Sequence, residues 1–372
     1  MPNPPELVVL SHLRWSWVWQ RPQHLVSRLA ATHDVWFVEE PAVADVTEPV
    51  LRVRREGDVR VAHLDVPPVA IRPDFDGPHR SAYELALLDA LGARDDRRVW
   101  LYTPAALELA RALAPSVLAY DVMDDLSAFK GASPALALRH RQALRAADVV
   151  FAGGRSLHRS VAELRPHGTY LFPSGVEPEH FERAVSLRSC EPGARPLAGY
   201  VGVIDERVDL GLLAGLAGAL PDWDLELVGP VAKIDPADLP QAPNVRYLGQ
   251  QPYERLPEIL ARFDVALMPF ARNEATRSIS PTKTLEYLAA GLPVVSTRVP
   301  DVVASYGDVV DLQDDATGFA RACERVRGHD PAERRRRAEP LLEWQRWDTI
   351  AARMTALVEA HAAAPAREAG LV

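Results

Sequence analysis

The 372-residue chain has no run of about 18 apolar residues, so it predicts no membrane-spanning helix. Its start, Met1-Pro2-Asn3-Pro4-Pro5-Glu6, has neither a basic segment nor a long apolar one, and a secretory leader is not expected. Two cysteines, Cys190 and Cys323, are too few for a disulfide framework or a structural zinc site by themselves, and a reducing cytoplasm fits. A basic excess is missing: the formal net charge is −9, which offers no broad field for a nucleic-acid backbone. Lysine is scarce as well. Only Lys130, Lys233 and Lys283 occur, the other basic residues being arginine, which reads as coding bias and makes each lysine worth weighing. No repeat with a period of roughly 20–50 residues is visible. What remains is ordinary globular composition, 48% hydrophobic and 25% charged. At roughly 150 residues per domain, this length favours two domains or one large one.

Short apolar runs alternate with longer amphipathic stretches. Leu7–Leu10, Val35–Val38, Val99–Tyr102, Val117–Tyr120 and Val149–Ala152 read as buried strands. Helical spacing lies between them, over Pro22–Ala31, Ala105–Leu113 and Pro134–Ala147. The pattern pauses between Phe172 and Pro196, where Pro173, Gly175, Pro178, Pro192, Gly193 and Pro196 predict an interdomain linker. It then restarts with strands at Leu197–Gly202, Leu225–Val228, Val245–Leu248, Val265–Met268 and Pro293–Ser296, and helices at Leu210–Leu220, Leu256–Arg262 and Pro281–Ala290. Alternating strands and helices imply βαβ units and mostly parallel sheets, hence two α/β doubly wound domains. The expected division is 1–175, 176–340 and a closing segment 341–372, with a fraying Ala-rich tail from Ala362. Ligands bind at the carboxyl ends of parallel strands, so a cleft between two such edges is the expected site.

The segment Ser278-Ile279-Ser280-Pro281-Thr282-Lys283-Thr284-Leu285-Glu286 carries the most chemistry. Ser280 suits an N-cap, Pro281 the first helical position, and Gly291 followed by Pro293 a helix stop. Amides at such a start attract a phosphate, and Thr282 and Lys283 add a hydroxyl donor and a cation. Glu286, about one turn in, is placed to accept hydrogen bonds from two sugar hydroxyls. The same pattern also describes a capped helix with a solvated Glu and Lys.

Together with Pro173-Ser174-Gly175-Val176-Glu177-Pro178-Glu179-His180-Phe181, this segment resembles the two-domain GT-B nucleotide-sugar glycosyltransferases. The likeness is to the retaining family 4 type, in the branch associated with teichuronic-acid-like biosynthesis. Further matching blocks are Asp264–Phe270, Asn244–Gly249 with Tyr253 and Leu256, Arg21–Leu25, and Tyr120–Asp125. The resemblance runs from about residue 7 to 350. It implies a GT-B fold of two Rossmann-like domains and a cytoplasmic enzyme that moves a sugar from a nucleoside-diphosphate donor, with retention and without metal or other cofactor. In the donor half it assigns Glu286 to the ribose and Lys283 and the Ser280–Thr282 helix start to the diphosphate. Arg207, after Gly202, would neutralise the leaving group, or is a plain surface arginine. The base would rest near Gly229, Tyr247 and Leu248. The first Glu of the family's Glu-x7-Glu pattern falls on Ser278, a departure that bears on the sugar contacts; Ile279 follows it. Glu274, four residues upstream, substitutes only if the loop differs.

The acceptor, a small molecule, glycan or glycolipid, is expected in the N-terminal half. The loop Ser11–Arg21 alternates Trp15, Trp17 and Trp19, either an aromatic platform or packing for the loop. Arg21 stands where a phosphate would meet a helix start, and His12 is a candidate base or a structural histidine. Asp121, Asp124 and Asp125 admit three readings: acceptor or sugar contact at Asp124 and Asp125, helix capping, or metal binding. Catalytic roles fall to Asp124, Arg207 and Lys283, and no metal site is assigned. The run Arg334–Arg337 is either a solvated helix face or a contact for anionic lipid, which would make membrane contact peripheral and confined to the inner face. Trp347 is the expected anchor of a last helix crossing back to the first domain. Because Ser278 replaces a glutamate, the alternatives are a catalytically inactive nucleotide-sugar or glycan-binding protein, or an epimerase or non-glycosidic transferase on the same scaffold.

Overall fold

Two separate parallel sheets organise the chain. The structure, a computed structural model, describes residues 4–68, 73–126, 134–188, 195–328 and 330–363. The first sheet contains β1 (Glu6–Ser11), β2 (Asp34–Glu39), β3 (Ala42–Val43), β4 (Val50–Glu56), β5 (Val59–Val66), β6 (Arg98–Leu101), β7 (Val117–Val122), β8 (Val149–Ala152) and β9 (Thr169–Leu171). Their order is β3-β5-β2-β1-β6-β7-β8-β9, with β4 paired antiparallel to β5. The second sheet contains β10 (Leu197–Val201), β11 (Asp224–Val228), β12 (Val245–Gly249), β13 (Val265–Met268), β14 (Val294–Thr297) and β15 (Asp311–Gln313), in the order β12-β11-β10-β13-β14-β15, all parallel. Central strands such as Leu7–Leu10 and Val265–Met268 are buried throughout, as strands covered by helices on both faces require. In both sheets the strand order reverses beside the first strand, between β1 and β6 and between β10 and β13, which is where a doubly wound sheet opens a crevice.

The stretch expected to be a linker contains a ten-residue helix among its described residues. Pro178–Leu187 starts on its proline and buries Phe181 and Ala184 against the helices Leu256–Leu260 and Lys283–Ala289. Proline therefore marks a helix start here. Residues 189–194, with Cys190, lie outside the described residues, as do Lys130 and the tail from 364. The chain passes from the first sheet to the second through 172–177. It returns between helix Pro331–Trp344, packed on the second unit, and helix Trp347–Ala362, packed on the first. The last helix buries Trp347, Ile350, Met354 and Val358, each contributing about 1.5–3 kcal/mol as apolar area leaves water. The two passages are bonded to one another: Val176 N–H donates to Gln345 O at 2.8 Å and Trp347 N–H to Val176 O at 3.2 Å.

The basic run Arg334–Arg337 lies on helix Pro331–Trp344. Arg335 pairs with Glu339 and Glu182, Arg334 donates to Val326 O and Arg337 to Asp308 O, so the cluster is engaged within the second unit. Among the described residues no helix is long and apolar enough to cross a membrane.

Candidate active site

The cleft between the two sheets is built from strand ends. Val18–Arg21, after β1, and Met123–Asp124, after β7, line it from the first unit. Gly202, Val203 and Arg207, after β10, and Ile279–Lys283 line it from the second, around a cavity of about 120 Å³. A smaller recess of about 40 Å³ continues from it past Trp19, Gly229, Pro230, Gln250, Gln251 and Tyr253.

Backbone forms part of the recess. Gly229 has φ +145°, and a Cβ there would sit 1.9 Å from Gly202 O, so the tips of β10 and β11 touch main chain to main chain and exclude any side chain. Beyond Gly229 the chain bridges back, with Ile204 N–H donating to Pro230 O and Ala232 N–H to Ile204 O, which sets Lys233 (φ +61°) beside the Arg207 loop.

Arg207 is held within that loop. Its Nε and a terminal nitrogen donate to the two oxygens of Asp205 at 2.9 and 2.8 Å. Burial alone would lower the guanidinium pKa, but the Asp205 bonds and the charge of Asp124 outweigh it and keep Arg207 protonated. Opposite, burial pushes the Asp124 carboxyl above its ordinary value, while Arg207 and Lys233 pull it back down. Asp124 thus faces cations contributed by the other unit.

Lys283 Nζ donates to Glu286 Oε2 at 2.7 Å, one turn along the helix. That helix spans Lys283–Ala289, with Thr282 at its N-cap and no side-chain cap. The expectation of a Ser280 cap and a Pro281 first turn is corrected: the helix begins at Lys283 behind Thr282, which already has right-handed helical angles, and Ile279–Thr282 line the cleft wall. With only seven helical residues, side-chain cations outweigh the helix dipole. Glu286 is 4% exposed and stands behind Lys283, outside the lining, rather than on a solvated face. Ser278 closes the short helix Glu274–Arg277 and is also off the lining, while Glu274 pairs with Arg277 at the surface.

Tyr247 and Leu248 do not line the recess either. The Tyr247 hydroxyl donates to Pro240 O and Leu248 is solvent-exposed; the next residues, Gln250 and Gln251, face inward instead. In the first unit Trp15 is core, packed edge-on against Phe37 at 5.1 Å with its amide on Glu39, so it forms no platform. Trp17 is 40% exposed at the rim, where its carbonyl accepts from Gln250 Nε2 of the other unit. Trp19 is the tryptophan that reaches the cleft. Its indole N–H donates to His24 Nδ1 at 3.2 Å, and its ring lies 6.1 Å from Tyr253. His12 is half-buried outside the lining.

Arg21 borders the cleft, but its guanidinium is bidentate on Asp121 at 2.9 Å and also donates to Phe172 O. Both partners are buried, so the pair fixes the first loop to β7 and is not an open phosphate contact. Asp125 turns away from the cleft into a separate cavity behind Asp124. Among the described residues no group of three His, Cys, Asp or Glu side chains is placed to hold a metal ion. Gln250, Gln251, Tyr253 and Lys233 were given no site role by the sequence, and Trp19 was named only as one of three alternating tryptophans. Their one available signal is position, each standing just beyond a strand end.

Two Rossmann-like units facing across such a cleft define the GT-B architecture. Residues 196–328, the bulk of the second unit, carry a domain matching the family model "Glycosyl transferases group 1". Among curated proteins, the chain is 28% identical over 199 residues to Bacillus subtilis TuaH, which bears the name of a teichuronic acid biosynthesis glycosyltransferase; the match spans about half of each chain, 50% of both. Among solved structures, an E. coli protein described as trehalose-6-phosphate bound with UDP-2-fluoro glucose superposes with a TM-score of 0.71 at 15% identity, covering 97% of this chain and 100% of that one. Sucrose-phosphate synthase from Thermosynechococcus elongatus gives 0.70 at 18% identity, covering 96% and 98%. At such identities the structural likeness establishes the fold.

Proposed function

We propose that the chain is a retaining glycosyltransferase using a nucleoside-diphosphate sugar and no metal ion. The observation that carries this reading is the convergence of Arg207 and Lys283, from separate loops of the second unit, on a cleft wall opposite Asp124 of the first. Two cations suit a diphosphate, and charge placed where a leaving group develops stabilises its departure without a metal. In the step, the bond between the anomeric carbon and the diphosphate oxygen breaks, and its electron pair leaves with the diphosphate toward Arg207 and Lys283. The acceptor hydroxyl forms the new bond on the same face, and its proton passes to the departing phosphate oxygen, so no dedicated protein base is needed.

The recess formed by Gly229, Pro230, Gln250, Gln251, Tyr253 and Trp19 takes the nucleoside. Lys283 turns from Glu286 to the phosphate, leaving Glu286 to accept from the ribose. The E. coli neighbour described with UDP-2-fluoro glucose makes uridine diphosphate the first donor base to test. Asp124 contacts the transferred sugar. The chain works in the cytoplasm, with any membrane contact peripheral.

A second reading, nucleotide-sugar binding without transfer, is favoured by Ser278, which stands where the resemblance calls for a sugar-binding glutamate and lies off the lining. A metal-free thermal-shift screen with UDP, GDP, dTDP and ADP, followed by an assay for diphosphate release from the matching sugar nucleotides, separates the two. Selective stabilisation with turnover supports transfer. Stabilisation without turnover supports the binder, and no shift at millimolar nucleotide removes the donor site.

A further inference from the structure

Trp19 belongs to both parts of the site: its half-buried ring borders the cleft cavity and the recess that continues from it. It stands on a loop just before the helix Arg21–Leu29, whose N-cap is Gln20. Trp19 and His24 therefore occupy the positions just outside and one turn inside a helix start, where apolar side chains commonly pair and fix the entry of the chain. Here the pair is hydrogen-bonded as well. Trp19 Nε1 donates to His24 Nδ1 at 3.2 Å, with the rings edge-on at 5.8 Å. An indole N–H only donates, so Nδ1 accepts and the imidazole proton is on Nε2. His24 is itself fixed: it is 2% exposed, stacked on Trp347 at 5.0 Å and edge-on to Tyr253 at 5.1 Å. The carboxylate of Glu177 is 3.9 Å from Nδ1 but accepts hydrogen bonds from Arg28 and from the Tyr253 hydroxyl. Burial, Arg28 and Lys283 all oppose protonation of the ring, which leaves Nδ1 its lone pair.

We propose that His24 is a positioning residue for donor binding: through its hydrogen bond it holds the Trp19 ring in the wall shared by the cleft and the recess. The donor role rests on the reading of that recess as the nucleoside site. A loop tryptophan without this bond has other staggered rotamers open to it, and a change of χ1 would take the ring out of the wall it forms. Packing against Trp347 and Tyr253 fixes the imidazole, and the hydrogen bond passes that order to the residue that faces the ligand. Arg207 and Lys283 carry the charge of the departing diphosphate, so loss of the bond affects donor affinity rather than the chemical step. Bond and ring separate experimentally. Asn places a carbonyl oxygen near the position of Nδ1 without a ring, whereas Phe keeps a ring without an acceptor.

The test is isothermal titration of UDP, GDP, dTDP and ADP into the whole chain and its variants. For a nucleotide that binds, His24→Phe is expected to weaken affinity about tenfold, the scale of one aromatic contact with a base, while His24→Asn stays within about threefold of the wild type. Trp19→Phe, which removes the indole N–H, is expected to weaken it about tenfold too, and His24→Phe to add less than about twofold to that loss, because both break the same bond. With the matching sugar nucleotide, KM is expected to rise in His24→Phe while kcat changes by less than about twofold. A packing role for the imidazole ring gives the opposite order, with Phe tolerated and Asn impaired, and that order would overturn the proposal. Effects that multiply in the double variant, or wild-type affinity in His24→Phe, would do the same. Trp19→Phe, on a half-buried loop, carries less risk to folding, and unchanged affinity in it overturns the proposal by itself. Nucleotide binding without this pattern removes the inference alone; failure of every nucleotide to bind the wild type removes the donor site and His24's role with it.

Discussion

The carboxylate of Asp301, carried by a helix of the second unit, accepts hydrogen bonds from the amide of Ser156 at 3.0 Å and from its hydroxyl at 2.5 Å, in the first turn of a helix of the first unit. The N-cap of that helix is Gly154, which has no side chain to offer, so the cap comes from across the cleft. A Cβ on Gly154 would lie 2.5 Å from Asp301 Oδ2 and 2.9 Å from Ser280 Cβ, so the approach depends on a bare glycine.

Asp301→Ala leaves this helix start uncapped and is expected to lower unfolding free energy by about 1–2 kcal/mol. Urea titration measures it. An unchanged midpoint would mean that the contact between the units contributes nothing.

Lys283→Ala and Arg207→Ala are each expected to lower kcat/KM for the donor by about 10²–10³, the usual effect of removing one preorganised donor from a developing charge. Steady-state kinetics with varied donor shows it, and wild-type values in both variants would remove these residues from the site.

The Asp124 carboxyl titrates above the ordinary aspartate value, chiefly through burial. Lowering pH therefore neutralises it in milder acid than an ordinary aspartate, and activity is expected to fall on the acid side with a midpoint above 3.8. A pH–rate profile of Asp124→Asn should lack that limb.

His24 titrates well below 6.5, mainly because it is buried, with Arg28 and Lys283 adding to the effect. Below 6.5 the unfolded chain takes up a proton that the folded chain refuses, so stability declines as pH falls through this range. Denaturation midpoints measured between about pH 5 and 7.5 should show this slope, and His24→Asn should flatten it.

Transfer and donor binding are expected to survive EDTA, because the proposed leaving-group contacts are cationic side chains. Loss of activity restored by manganese would place the carboxylates of the Asp121–Asp125 loop in a metal role.

Much of the fold was legible because fully buried parallel strands are short apolar runs, and Leu7–Leu10, Val149–Ala152 and Val265–Met268 show that plainly. The hairpin β4–β5 was not, since its apolar residues alternate with Arg52, Arg54, Arg55 and Arg60 and make no run. At the site, Lys283 could be named from its place at a helix start, and Arg207 and Asp124 from the family resemblance of their segments. Local spacing cannot show that Trp15 turns to the core while Trp19 turns to the cleft, or that Arg21 is taken by Asp121 a hundred positions away. Those outcomes depend on tertiary packing.

The bonding of Val176 to Gln345 and Trp347 has a mechanical consequence. Two independent tethers would let the units slide, twist and part. Here both cross the gap side by side and are tied together, so a displacement of one drags the other. Sliding and twisting are opposed wherever they would stretch the two hydrogen bonds that join the crossings.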